Sequence, residues 1–548
     1  MPNEATKSVP SMPWKQRAAL KREQQAAQIP SEWRLSPLPS PLPKSALEYI
    51  TNSTLLTPTE HRITTIVSAS TLLSQIKSRE ITAVEVATAF CKRAAIAQQL
   101  TGCCTEMFFH KAIKRAEELD RYLAETGEVV GPLHGLPVSL KDGADVEGED
   151  TTLGWVGLCN KPAVSDCLLA ECLRKQGAIL YCKTNIPQSL MMSDSYNHVF
   201  KQSVNSLNRA LISGGSSGGE GALIGCQGSI VGVGTDIGGS IRIPANLQGL
   251  YGLNPTVGRF PWHPSVVREN IVNGVAGPLS SSLETIEVFM EGLLAAEPWR
   301  YEPTSHPIPW RKELASFPPG KKLRIGYYVD DGMVKVQPPV ERAVLEVVQK
   351  LRDKGHDVFQ WEVDSHIEGQ RLWTKAILAD GGKKCARLCE QGDEPLVPGM
   401  LVGTAEDRLD VDQAIEVANA RLTYQKAYLR RWATSGIDAL ITPIQPWVGF
   451  RPKTWVQSRQ NVSYTAHWNF VDFAALAIPA TTARLDDVGS EEWQSHRPRD
   501  QSDEFNWRQY DPHLVEGMPV GVQVVGGRFG EENCVAVARV VEEVLGRK

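Results

Sequence analysis

The stretch Ile212–Ala245, ISGGSSGGEGALIGCQGSIVGVGTDIGGSIRIPA, holds Ser216, Ser217 and Ser240 among glycines, with no histidine between them. Each glycine carries an entropic cost inside a regular element, so so dense a run marks tight turns and close backbone approach. Three chemical readings compete with that structural one. A phosphate cradle is excluded by pattern: no Gly-Lys-Ser/Thr ends the first half, and Gly232-Val233-Gly234 lacks the third glycine of a dinucleotide fingerprint. Gly214-Gly215-Ser216-Ser217-Gly218 formally satisfies Gly-x-Ser-x-Gly, with His467, His496 and His513 downstream as partners, yet the preceding NSLNRALI is a poor buried strand for a nucleophile elbow. The third reading places the acyl acceptor later. Thr235-Asp236-Ile237-Gly238-Gly239-Ser240 can bend its main-chain N–H groups into an anion-holding nest with Ser240 at the mouth of a helix. Its base must then come from elsewhere, and a buried lysine can serve, since desolvation favours the neutral amine.

Outward from this window the chain alternates helix and strand patterns. Thr82-Ala83-Val84-Glu85 is a capping box, followed by Val86, Phe90, Ala94 and Ala97 at helical spacing. HGLPVSLKDG (His134–Gly143) alternates, with Leu136, Val138 and Leu140 on one face and Pro137, Ser139 and Lys141 on the other, which sets Lys141 at the end of a strand. Glu171–Gln188 reads as a helix end, a glycine stop and a buried strand at 178–182, and Pro519–Gly546 as a strand, a glycine turn and a closing amphipathic helix. The expected fold is α/β: a three-layer α/β/α sandwich around a large mixed, mainly parallel sheet. Residues 1–68 read as an N-terminal helical arm, with a stiff connector SPLPSPLPK at Ser36–Lys44, and 69–548 as the catalytic domain. The stretch from Gly258 to Leu401 reads as insertions at the periphery of the sheet.

Composition narrows the function. Across 548 residues, 58 Lys+Arg against 63 Asp+Glu leave a net charge of −5 and no basic stripe, which argues against nucleic acid. Eleven scattered cysteines read as reduced, buried thiols; Cys385-x3-Cys389 lacks the second pair that a zinc site needs. No apolar run approaches the roughly 18 residues of a membrane span, so a cytoplasmic protein with no membrane partner is expected.

Taken together, the window, Lys141 within GLPVSLKD, KTNIPQ at Lys183–Gln188 and GMPVGVQVVG at Gly517–Gly526 resemble the amidase signature family over 69–545. IPSEWRL (Ile29–Leu35), FCKRAAIAQQLT (Phe90–Thr101) and EPWRY (Glu297–Tyr301) further resemble its fungal acetamidase branch. The resemblance implies a Ser-cisSer-Lys triad: Ser240 as nucleophile, Ser216 as relay serine on a cis peptide after Gly215, and Lys141 as neutral base. It implies an oxyanion hole of the N–H groups of Ile237, Gly238, Gly239 and Ser240, support from Ser217, Asp236 and Arg242, and an acyl pocket shaped by Leu190, Met191, Met192 and Gly215. It implies no metal and no cofactor. The activity implied is hydrolysis of a carboxylic amide through an acyl-enzyme, with a short aliphatic amide such as acetamide expected first. A fatty-acid or aryl amide or lactam hydrolase, the catalytic subunit of an amidotransferase, and a non-catalytic relative are the rival readings. A homodimer is expected from the resemblance alone.

Overall fold

The computed structural model describes residues 12–262, 271–454 and 461–547. The expected arm and catalytic domain both extend beyond these residues, at 1–11 and 548 and at two internal stretches.

Eleven strands form one sheet. In chain order they are β1 (Cys104–Met107), β2 (Pro137–Lys141), β3 (Ile179–Thr184), β4 (Val231–Asp236), β5 (Tyr251–Asn254), β6 (Val275–Ser280), β7 (Arg324–Tyr327), β8 (Asp357–Gln360), β9 (Ala439–Pro443), β10 (Ala474–Thr482) and β11 (Pro519–Gly527). Their spatial order is β1-β3-β2-β4-β6-β5-β10-β11-β9-β7-β8. The sheet is mixed, but parallel pairing does not dominate it. Parallel neighbours are confined to two flanks, β3-β2-β4 and β9-β7-β8, whereas every pairing from β4 through β6, β5, β10 and β11 to β9 is antiparallel, as is β1 on β3. Helix-then-strand units suggest a mainly parallel sheet. In the centre, however, chain neighbours β5 and β6, and β10 and β11, return directly beside one another, and a direct return is antiparallel.

Helices that bear on the site are α1 (Trp14–Ala27), α2 (Ala83–Thr101), α3 (Gly218–Gly225), α4 (Arg242–Gln248), α5 (His366–Ile377), α6 (Ser463–Val471) and α7 (Glu531–Leu545). α2 starts where the sequence signals it: Thr82 Oγ1 accepts the Glu85 N–H at 3.1 Å, and the Glu85 carboxylate accepts the Thr82 N–H at 2.8 Å. Helices cover both faces of the sheet. On β10, Leu476 and Ile478 join the large core that includes Val535, Ala538 and Val541 of α7, while Ala477 between them faces Ile241, Ala245 and Ile444. That split is the period-two alternation of a strand buried on both sides.

α1 lies along the outer edge of β1. The Gln25 side chain donates to the Cys104 carbonyl at 2.7 Å, the Met107 N–H donates to Gln28 Oε1 at 2.9 Å, and Lys21 Nζ sits 2.6 Å from Glu106 and 2.7 Å from Asp150. Gln25 and Gln28 thus satisfy backbone groups at an edge that would otherwise expose them unpaired. The stretch 258–401 is not peripheral as expected: β6 lies in the middle of the sheet and α5 packs against the candidate site. Among the described residues no helix is long and apolar enough to cross a membrane.

Candidate active site

β2 and β4 run parallel side by side, with Leu140 opposite Val233, so the C-terminal end of β2 lies beside Thr235. Lys141 closes β2 on the face that also carries Ser139, and it is 2 % exposed. Its Nζ is 2.7 Å from Ser216 Oγ and 2.6 Å from Thr235 Oγ1. Burial pulls this amine down from its ordinary value of 10.5 to about 7, against the opposing pull of Asp236 and Glu220. A buried amine that sheds its proton near neutrality beside a hydroxyl is equipped to accept a proton. Glu220, on α3, accepts from Ser139 Oγ at 2.6 Å and Thr184 Oγ1 at 2.9 Å, and its own burial pushes its carboxyl up to about 7.

Ser216 follows a cis peptide bond from Gly215. A Cβ on Gly215 would stand 2.4 Å from the Met192 carbonyl and 2.6 Å from the main chain of Asp194, so only glycine fits against that segment. Ser217 then ties the two serine stretches together: its N–H donates to the Ser240 carbonyl at 3.1 Å, and its Oγ accepts the Thr235 N–H at 3.2 Å. Ser216 and Ser217 are buried, whereas Ser240 is partly exposed, at the start of α4.

The loop from Ile237 to Ser240 is held by a buried polar network. Asp236 accepts from the N–H of Gly239 at 2.7 Å, the N–H of Ile241 at 3.0 Å, Arg242 Nη2 at 2.9 Å and Asn469 Nδ2 at 3.0 Å. Burial alone would raise its carboxyl; the Arg242 guanidinium and these N–H groups outweigh that and hold it below the usual carboxylate range. Arg242 also donates to Gln523 of β11 and to Asn469 of α6, so the network ties the loop to the sheet. Gly239 therefore departs from expectation, because its N–H is bonded to Asp236 instead of facing an incoming oxygen. The N–H groups of Ile237, Gly238 and Ser240 have no hydrogen-bond partner among the described residues.

Of the four residues expected at the acyl pocket, Gly215 lies against the main chain of Met192 and Asp194, and the other three separate. Met192 packs with Ile212, Ile243, Leu247, Val397, Trp447 and Phe450, beside α4. Met191 is partly exposed, and its carbonyl accepts the Leu401 N–H at 3.0 Å. Leu190 packs elsewhere, with Leu153, Trp155 and Ile186 and with Cys385 and Cys389.

Among the described residues no histidine serves the serines. His467 is fully buried against His366, their rings 3.8 Å apart; His496 bonds to Asp503 at 2.8 Å; and His134 Nδ1 accepts the Val130 N–H at 3.1 Å. Thr235, Thr465, Asn469 and Trp373 contact the loop or the lysine without having been singled out from sequence.

A family model described as Amidase matches residues 85–535. The acetamidase of Emericella nidulans is 38 % identical across 97 % of this chain and 98 % of its own length. That of Aspergillus oryzae is 34 % identical across 98 % of this chain and the whole of its own. Among solved structures, a fatty acid amide hydrolase superposes with a TM-score of 0.91 at 32 % identity, covering 97 % of this chain and 95 % of the other.

Proposed function

The chain belongs to the amidase family and hydrolyses amides, and from that premise we propose that it cleaves a short aliphatic carboxylic amide to acid and ammonia through an acyl-enzyme on Ser240. The observation that carries the reading is the buried Lys141 amine, drawn down to about 7 and 2.7 Å from Ser216 Oγ.

The neutral Lys141 takes the proton of Ser216, Ser216 takes that of Ser240, and Ser240 Oγ attacks the amide carbonyl. The oxyanion that forms is received by the N–H groups of Ile237, Gly238 and Ser240, each donor being worth on the order of 3 kcal/mol. The same relay then returns the proton to the leaving nitrogen, and water, deprotonated along it, cleaves the ester. Thr235 Oγ1 holds the lysine in line from its other side, while Asp236 and Arg242 fix the loop.

Acetamide as first substrate is supported by the acetamidase relatives and by the apolar cluster around Met192. The likeness to a fatty acid amide hydrolase supports a second reading, a long acyl chain. Purified protein offered straight-chain amides of graded length, scored by ammonia release, separates the two. Adding hydroxylamine tests the acyl-enzyme, which it intercepts as the hydroxamate. Turnover of acetamide and propionamide with hydroxamate formation is expected. Activity confined to long-chain amides overturns the substrate, and undiminished turnover by Ser240→Ala overturns the mechanism.

A further inference from the structure

Three consecutive carbonyls after β4 are held from the protein side. That of Ile237 accepts the indole N–H of Trp373 at 2.9 Å, that of Gly238 accepts Thr465 Oγ1 at 2.6 Å, and that of Gly239 accepts the Ile243 N–H at 2.7 Å. These peptide bonds are trans, and in a planar trans peptide the C=O and the following N–H point in opposite directions. Each anchored carbonyl therefore aims the next residue's N–H. The Thr465 contact sends the Gly239 N–H to Asp236, where it is bonded at 2.7 Å. The Ile243 contact turns the Ser240 N–H away from α4. The Trp373 contact turns the Gly238 N–H away from the indole, and that N–H has no partner among the described residues.

The three anchors are not equivalent. Ile243 is local to the loop, and Thr465 has a second acceptor in the Val462 carbonyl at 3.1 Å. Trp373 reaches in from α5, 136 residues along the chain, and its indole has a single donor. The ring is 1 % exposed, and its Cζ2 lies 2.7 Å from where a Gly238 Cβ would stand, so ring and loop approach each other at a spacing only glycine permits. Around it stand Leu372, Ala376, Val417, Ala466 and Phe470. This apolar packing leaves the Ile237 carbonyl as the one acceptor the indole meets among the described residues.

We propose that Trp373 is a positioning residue for the oxyanion hole, setting the direction of the Gly238 N–H through the carbonyl of Ile237. The inference rests on the reading of Ser240 as nucleophile. The role belongs to the transition state, because the loop N–H groups strengthen their bonds only as the carbonyl oxygen gains charge. A Trp373 that only filled the core would act on stability and on pocket shape.

The test replaces the donor and keeps the shape. Site-specific replacement of Trp373 by β-(3-benzothienyl)alanine exchanges the indole N–H for sulfur; Trp373→Phe is the natural counterpart. The expected loss in kcat is roughly tenfold, below the roughly 100- to 1,000-fold loss that follows removal of a direct donor, with KM within about twofold. Affinity for an aldehyde that becomes tetrahedral on the serine should fall by the same factor as kcat, with the thermal midpoint of the isostere unchanged. Wild-type kcat in the isostere, or a loss carried wholly by KM, overturns the role of Trp373. Ser240→Ala assayed alongside separates the failures: if it is inactive, the isostere alone decides on Trp373, and if it turns over normally, the assignment of the nucleophile falls and the oxyanion role falls with it.

Discussion

Lys141 Nζ stands 2.7 Å from Ser216 Oγ, and both side chains are buried. Because burial brings the amine to about 7, its neutral form is available at physiological pH. Activity that needs this neutral amine should follow its titration. We expect kcat/KM to fall about tenfold per pH unit below about 7 and to level off above it. A pH profile of ammonia release measures this, and a flat profile from about pH 5 to 9 would rule out Lys141 as the base.

The same depressed value carries a stability consequence of opposite sense to a salt bridge. The unfolded chain keeps this lysine protonated up to its ordinary 10.5, whereas the folded chain does so only below about 7. Between those values the unfolded state binds more protons, so the lysine's contribution to stability rises with pH across that window and is fully unfavourable below it. Lys141→Met removes the penalty. The variant should exceed the parent in urea melts at pH 6, with each unit of depression worth about 1.4 kcal/mol at most, and the advantage should shrink towards pH 10. A difference independent of pH would contradict this.

Asp236 is the acceptor on which the loop converges, with Arg242, Asn469 and two main-chain N–H groups bonded to it. Asp236→Ala leaves the buried Arg242 guanidinium uncompensated, at a cost of about 3–5 kcal/mol. Turnover should fall even in the folded fraction, since Gly239 loses its anchor. A variant within about 0.5 kcal/mol of the parent, the range of ordinary surface changes, would show the network to be dispensable.

Local signals read well from the chain because each is complete within a few residues: the Thr82–Glu85 box, Lys141 at the end of an alternating strand, and the strand–turn–helix at the end of the chain. Thr235 lay in the quoted window, yet its contact with Lys141 depends on β2 and β4 being parallel neighbours, which period-two alternation within either strand does not reveal. Trp373, Thr465 and Asn469 reach the site from α5 and α6, and no spacing announces them. The central antiparallel pairings were hidden for the same reason: a helix-then-strand rhythm fixes the elements and leaves the direction of return open.

Met192 and Leu190 differ by two positions and point to different clusters, and this separation gives a test of the acyl pocket. Met192 is 4 % exposed and packs against Ile243 and Leu247 of α4, the helix that Ser240 precedes. Met192→Ala should therefore open space on the acyl side, at a stability cost of about 2–5 kcal/mol. Loss of folded protein lowers all rates alike, so the informative quantity is the ratio of kcat/KM for hexanamide over acetamide, which the folded fraction does not affect. That ratio should rise about tenfold or more in Met192→Ala, since each methylene buried in a fitted pocket is worth about 1 kcal/mol or more. Leu190→Ala, which disturbs the packing around Trp155, should leave it unchanged. Equal shifts in the two variants would move the acyl chain away from the Met192 cluster.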